Sequence, residues 1–330
     1  MVEFFKKESW PNDSWLKEHK VDLTNIVSFA GDASTRKYYR LAGKDGKKFI
    51  AVTYEPTEVG KKSFERFIFW QKKYVELNIP VPEIYHTNED ALLMILEDLG
   101  SKSLLSEISQ LQAREQNVLL EQSLGLLMPL QKLHLLEQSH STQGIFNREK
   151  LDFELNLSIQ HFSKTFDLPS IQSNKETIQE IWGEFLSDAF REKDFVWCHR
   201  DFHAKNIMID SQKKLRLIDF QDTMRGPRFY DLCSLLHDSY LNYSETTKEL
   251  ILKNYKNSHG DFENLYYVTM AQRTFKAIGS FCYVFQYRQN YFYLRHVGLA
   301  MEHFNFALKK INTTMSKELI KLMVNPYYNL

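Results

Sequence analysis

Cysteine is scarce. The 330 residues hold three, Cys198, Cys233 and Cys282, far apart and among apolar neighbours. No CxxC pair is present, which removes the usual zinc and thiol-redox signatures and leaves three buried free thiols of a reducing compartment as the expectation. Net charge is also absent: Lys+Arg and Asp+Glu are both 42, so no basic excess is available for a nucleic-acid footprint. Long apolar runs are missing too. No window approaches the roughly 20 apolar residues of a membrane span, and the opening MVEFFKKESWPNDSW lacks the apolar stretch of a signal peptide. No repeat or low-complexity tract occurs. The expectation is a cytoplasmic protein with no nucleic-acid or membrane partner, and nothing in the residues specifies an oligomeric state.

What is present describes a folded chain. Hydrophobic residues make up 43% and charged residues 25%, with 24 Phe and 17 Tyr to fill a core. A length of 330 residues exceeds one ordinary core and predicts two lobes.

The richest stretch runs from Phe195 to Asp231. Two apolar, β-rich runs flank a polar loop holding His199, Arg200, Asp201, His203, Lys205 and Asn206. Two short strands are expected at 207–210 and 215–218; folded antiparallel on a tight turn, they would return Asp219 beside Asn206. A carboxylate and an amide could then hold magnesium while a separate carboxylate, Asp201, meets an attacking hydroxyl. Taken singly, each Asp or Asn here reads more readily as a turn residue satisfying its own backbone. The joint pattern H-R-D-x-x-x-x-N followed by I-D-F is far harder to obtain by chance, and it resembles the catalytic and metal loops of the protein-kinase fold.

Upstream, the residues predict strand, polar loop, strand, turn and strand over 26–54. The polar loop Gly31-Asp32-Ala33-Ser34-Thr35-Arg36 is placed to cover phosphates with its backbone amides, and Arg36 or Lys37 could add charge. With one glycine it is no G-x-G-x-x-G, and a plain turn is the competing reading. A helix is predicted over 61–77, stopped by Asn78 and Pro80. A buried strand over 91–96 ends at Glu97-Asp98-Leu99-Gly100, where main-chain groups of Glu97 and Leu99 could pair with an adenine edge. From residue 101 the pattern turns to helices, including 113–137 with Pro129 inside it, 230–240, 265–284 and 291–311. The expected class is α+β: a protein-kinase-like bilobal fold with a small antiparallel β-rich N-lobe (1–97, nucleotide-binding) and a larger, mainly helical C-lobe (98–330, catalytic and acceptor-binding), with the nucleotide in the cleft.

Within that class, GDASTRKYYRL, CHRDFHAKNIMI, LIDFQD, GPRFYDLCSLL and AQRTFKAIG together resemble the aminoglycoside phosphotransferase–choline kinase group and, more narrowly, the bacterial cell-wall amino-sugar kinases. Those phosphorylate N-acetylmuramate and N-acetylglucosamine at the anomeric hydroxyl. The resemblance covers roughly residues 25–310. It implies ATP and Mg2+ as cofactors, a small-molecule sugar as substrate, Asp201 as the catalytic carboxylate, and Asn206 and Asp219 as metal ligands. His199 would lock the loop. Asp231 would accept loop amides, although it reads equally as an acidic residue at a helix start. On the acceptor side stand His203, Asp222 and Arg273. Arg273 with Lys276 at i, i+3 could read a carboxylate or simply be solvated, and Tyr283, Phe285 and Tyr287 could stack on a sugar or pack in the core.

One departure matters. Where V-A-I-K would supply a phosphate-binding lysine, this chain has Ile50-Ala51-Val52-Thr53, so Glu65 has no obvious partner. Arg36, Lys37 or Lys205 could supply the charge. Two rival readings follow. One is a kinase for another hydroxyl acceptor (aminoglycoside or choline-like), which the end MSKELIKLMVNPYYNL, not strongly acidic, disfavours. The other is a nucleotide-binding pseudokinase, which the retained Asp201, Asn206 and Asp219 oppose. A protein kinase is disfavoured by the absence of an A-P-E-like segment after I-D-F.

Overall fold

A computed structural model describes residues 13–30, 36–44, 46–133, 144–259 and 263–330. The chain divides into two compact units, Met1–Lys102 with Met208–Gln221, and Ser103–Ile207 with Asp222–Leu330.

The first unit is built on an antiparallel five-stranded sheet of order β1-β2-β3-β5-β4. Its strands are β1 (Asp22–Ala30), β2 (Lys37–Ala42), β3 (Lys48–Thr53), β4 (Ile84–Asn88) and β5 (Leu93–Glu97). Alternation decides its faces. Tyr39 and Leu41 on β2 stand opposite Ala51 and Phe49 on β3, and with Leu93 and Ile95 they form a buried cluster closed by Leu16. Leu16 comes from the short helix Ser14–Glu18, whose N-cap Asp13 accepts the amides of Trp15 and Leu16. The strand expected from residue 91 starts at Leu93 because Asn88 accepts the Ala91 amide and Leu92 turns left-handed (φ 46°).

The neighbouring helix, Glu58–Glu76, is capped by Thr57, which accepts the Gly60 amide at 3.1 Å. It buries Phe64, Phe67, Trp70 and Tyr74. A hairpin joins the same unit: β7 (Ile207–Ile209) pairs with β8 (Leu215–Leu217), β6 being the strand Val196–Cys198 that precedes them. The Ile209 and Leu217 amides bond the carbonyls of Lys102 and Pro80, and Phe220 packs between Phe67 and Tyr74, with ring centroids 4.8 and 5.1 Å away.

The second unit is mainly helical. Its centre is the 26-residue helix Glu263–Arg288, against which the helices Arg148–Thr165 and Val297–Ile311 pack. Aromatic rings of Trp182, Phe275 and Phe304 interlock there. Two expected helices are shorter than their periodicity predicts. The one starting at Tyr230 ends at Leu236, and Asp238 draws the Tyr240 amide to its carboxylate instead. The one expected over 291–311 is a 3₁₀ turn, Tyr291–His296, followed by an α-helix from Val297; Asn290 accepts the Phe292 amide and sets the tighter turn.

An antiparallel strand-rich unit followed by a mainly helical one is the expected α+β, protein-kinase-like class. No helix among the described residues is long and apolar enough to cross a membrane. All three cysteines are buried and free.

Candidate active site

The polar loop His199–Asn206 leaves β6, which pairs antiparallel with β9 (Met224–Gly226), Cys198 opposite Met224. A loop lying between buried strands cannot use solvent to satisfy its amides, and here two carboxylates do so. Asp231, fully buried at the start of the helix Tyr230–Leu236, accepts the His199 amide at 2.7 Å and the Arg200 amide at 2.9 Å. Asp238 accepts the Ala204 amide at 2.9 Å and the Tyr240 amide at 2.8 Å. Between these two straps Arg200 takes a left-handed backbone (φ 74°), a conformation that persists only where its surroundings hold it.

Arg200 is itself anchored. Its Nη2 donates to Glu154 Oε1 at 2.6 Å, both side chains are 11% exposed, and the guanidinium lies 5.0 Å above the Phe146 ring. His199 is wholly buried, with its ring edge-on to Phe202.

Asp201 follows, partly exposed. Burial pushes its carboxyl up, but the charges of Lys276, His203, Arg273 and Arg200 outweigh that and hold it well below the usual carboxylate range. At Asp231 burial prevails and raises the carboxyl to about 7 against its two amide donors. The pair is thereby separated: Asp201 stays ionised in a cationic setting, and Asp231 titrates near neutrality.

Asn206 donates from Nδ2 to the Asp201 carbonyl at 3.0 Å, and its own amide bonds the His203 carbonyl. The His203 ring stands 5.5 Å from that of Tyr240. Lys205 Nζ lies 5.6 Å above the same ring, and His296 meets it edge-on at 4.6 Å.

Arg273 Nε donates to Ser234 Oγ at 2.8 Å, and its guanidinium lies 5.8 Å from the Tyr230 ring. Lys276 follows one turn later and its charge acts on both Asp201 and Tyr230. Asp222 is partly buried, and its charge acts on Arg200. Tyr283 and Tyr287 gather with His161 instead, their rings 5.1 and 5.9 Å from the imidazole, and remain 41% and 68% exposed. Phe285 meets Tyr291.

In the first unit, Asp219 also has a left-handed backbone (φ 64°). Its Oδ1 accepts from Arg36 Nη2 and from Gln221 Nε2, each at 3.0 Å. Ser34 lies outside the described residues. The Glu97 amide is donated to the Glu83 carbonyl, and its carboxylate takes Arg216 in two bonds of 3.2 and 2.6 Å. Leu99 is buried, beyond Asp98, whose carboxylate pairs with Arg40 at 2.6 Å. Glu65 is exposed.

Among the described residues, no group of three or more His, Cys, Asp and Glu side chains is gathered to hold a metal ion. Asp219, in the first unit, offers a carboxylate, and Asn206, in the second, an amide whose nitrogen is already spent on the loop. Each is by itself an oxygen donor of the kind magnesium takes, one or two protein oxygens with phosphates and water completing its shell.

Sequence reasoning missed Glu154, Asp238, Tyr240 and Gln221. Gln221 sits inside the quoted LIDFQD segment and could have been found. Glu154 comes from a distant helix with no local signal.

A family model described as the phosphotransferase enzyme family matches residues 25–265. Two relatives are named N-acetylmuramate/N-acetylglucosamine kinase. The one from Neisseria meningitidis serogroup B is 29% identical over 241 residues, 70% of this chain and 67% of that protein. The one from Pseudomonas putida is 23% identical over 289 residues, 81% of this chain and 82% of that protein. Among solved structures, the ADP-bound aminoglycoside phosphotransferase APH(2'')-Ib is similar with a TM-score of 0.63 at 16% identity, over 88% of this chain and 97% of that one. The choline kinase LicA from Streptococcus pneumoniae has a TM-score of 0.56 at 14% identity, over 85% and 92%. At these identities the two structures speak to the fold alone.

Proposed function

The chain belongs to the phosphotransferase enzyme family, and from that premise we propose that it is an ATP-dependent sugar 1-kinase, phosphorylating the anomeric hydroxyl of N-acetylmuramate or N-acetylglucosamine in cell-wall recycling. In this reading residues 1–97 carry the nucleotide and 98–330 carry catalysis and the acceptor.

The observation that carries the acceptor class is the cationic setting of Asp201. Lys276, His203, Arg273 and Arg200 all act on that carboxylate. A positively charged acceptor such as an aminoglycoside or choline would meet like charge there, whereas a neutral or carboxylate-bearing sugar would not. In this reading Arg273 and Lys276 take the lactyl carboxylate of N-acetylmuramate, and His203 and Asp222 hold sugar hydroxyls. The names of the two relatives point the same way.

Asp201 accepts the hydrogen bond of the sugar hydroxyl and aims its oxygen at the γ-phosphorus. The O–P bond forms as the bond from phosphorus to the β,γ-bridging oxygen breaks, and the proton leaves through Asp201. Because the transition state is loose, positioning contributes more than early proton removal, which suits a carboxylate held ionised and weakly basic. Asn206 and Asp219 are the residues that would hold magnesium, which would supply charge neutralisation on the transferring phosphates.

The test is ADP release with magnesium-ATP against N-acetylmuramate, N-acetylglucosamine, its methyl glycoside, kanamycin and choline. Turnover with the free amino sugars and none with the methyl glycoside is the expected result. Turnover with kanamycin or choline alone would overturn the reading.

A further inference from the structure

The register of the first unit separates Arg36 and Lys37, two cations that could stand in for the absent phosphate-binding lysine. Partners across an antiparallel pair share a face of the sheet, and successive residues alternate between faces. In the β2–β3 register Lys37 is opposite Thr53, Tyr39 opposite Ala51, and Leu41 opposite Phe49. Tyr39, Leu41, Phe49 and Ala51 form the cluster closed by Leu16, so Lys37 and Thr53 belong to the side covered by the helix Ser14–Glu18. Thr53 is buried there. A lysine at position 53 would leave the sheet on that side.

Arg36 and Tyr54 lie one residue beyond the last pair of that register, and alternation turns both toward the opposite face. The Tyr54 ring meets Phe64 of the helix Glu58–Glu76 edge-on. Phe67 and Tyr74 of that helix clasp Phe220, the neighbour of Asp219. Arg36 spans from this face to Asp219, 183 positions away in sequence, with its side chain 11% exposed and that of Asp219 36%. Gln221 donates to the same oxygen.

We propose that Arg36 is the phosphate-contacting cation of this chain, held ready by its ion pair with Asp219 and presented to the nucleotide's phosphates in place of a β3 lysine. The proposal rests on the nucleotide-dependent reading above. A guanidinium presents a planar fork of donors that matches phosphate oxygens, so a single arginine arriving from β2 can do what a lysine on β3 does as a point charge. Its counter-ion keeps a partly buried cation paired until phosphate oxygens and a metal ion compete for it.

The test is direct binding by titration calorimetry on the full chain. Arg36→Gln raises the Kd for magnesium-ATP at least about tenfold, as expected for losing one hydrogen bond from a charged group, while the Kd for adenosine stays within about twofold. Arg36→Lys recovers part of the loss. Lys37→Ala, on the other face, binds magnesium-ATP as the unaltered protein does. Adenosine binding retained by Arg36→Gln shows that the variant is folded. An unchanged magnesium-ATP Kd in Arg36→Gln, or an equal loss in Lys37→Ala, would overturn the proposal. An unaltered chain that binds neither nucleotide nor nucleoside would instead overturn the nucleotide reading on which it stands.

Discussion

Arg200 and Arg148 show how far context decides the worth of an ion pair. Arg200 and Glu154 are each 11% exposed in their side chains; Arg148 and Asp152 are 50% and 41% exposed. Removing one partner of a buried pair leaves an uncompensated charge and costs about 3–5 kcal/mol, whereas an exposed pair contributes about 0–1 kcal/mol. Glu154→Ala is therefore expected to lower the unfolding free energy by about 3 kcal/mol, and Asp152→Ala by no more than about 1 kcal/mol, both read from urea denaturation. Equal losses in the two variants would show that the loop is not anchored through Arg200. The H-R-D pattern made Arg200 visible in the sequence, but its partner was not, because an ion pair between a loop and a helix 46 positions upstream leaves no local spacing to read.

At the scale of elements, the contact between the helices Arg148–Thr165 and Glu263–Arg288 depends on one missing methyl group. A Cβ added at Gly279 would collide with the backbone and side chain of Ser158. Gly125, inside the helix Ala113–Lys132, has open space around the same point. Gly279→Ala should destabilise by about 1–3 kcal/mol through overpacking, while Gly125→Ala should stabilise by up to about 1 kcal/mol through helix propensity. Paired thermal melts check both signs, and a stabilised Gly279→Ala would show that the two helices do not meet so closely. The periodicity that marks both helices in the sequence is blind to this difference. It reports which face is apolar, not how near another backbone comes. The same limit explains why the expected helices at 230–240 and 291–311 ran too long: the carboxylate of Asp238 and the amide of Asn290 intercept backbone donors that periodicity assigns to the helix.

For the molecule as a whole, acid sensitivity follows from its buried imidazoles. His303 packs edge-on to His237, ring centroids 5.1 Å apart, and His237 Nε2 lies 2.7 Å from the Tyr266 hydroxyl. Lys248, its ammonium paired with Glu245 and Asn242, adds positive charge to their surroundings. Burial, then that lysine, pushes His303 down to about 4; burial, then His303 and Lys248, pushes His237 well below its ordinary value. A folded pKa depressed below the unfolded value of about 6.5 means the unfolded chain binds more protons between the two. The stabilisation is then complete above about pH 6.5 and falls away as the pH drops toward 4, by about 3 kcal/mol for His303. Denaturation midpoints measured at pH 7 and pH 4.5 should diverge strongly in the unaltered protein and less in His303→Phe. An equal pH dependence in both would remove His303 from that role.

The sequence by itself determined the α+β class, the strand-then-helix order, the family resemblance and the catalytic-loop pattern, because each is written in short-range features: alternation, periodicity and fixed spacings within a loop. Only the tertiary structure decided which carboxylates strap the loop, that Lys276, Arg273 and Arg200 bring positive charge to Asp201, and that Arg36 meets Asp219. Those outcomes turn on which face of a strand a residue occupies and on what distant helices bring alongside. A side chain's electrostatic surroundings are a property of space, and adjacency along the chain does not encode them.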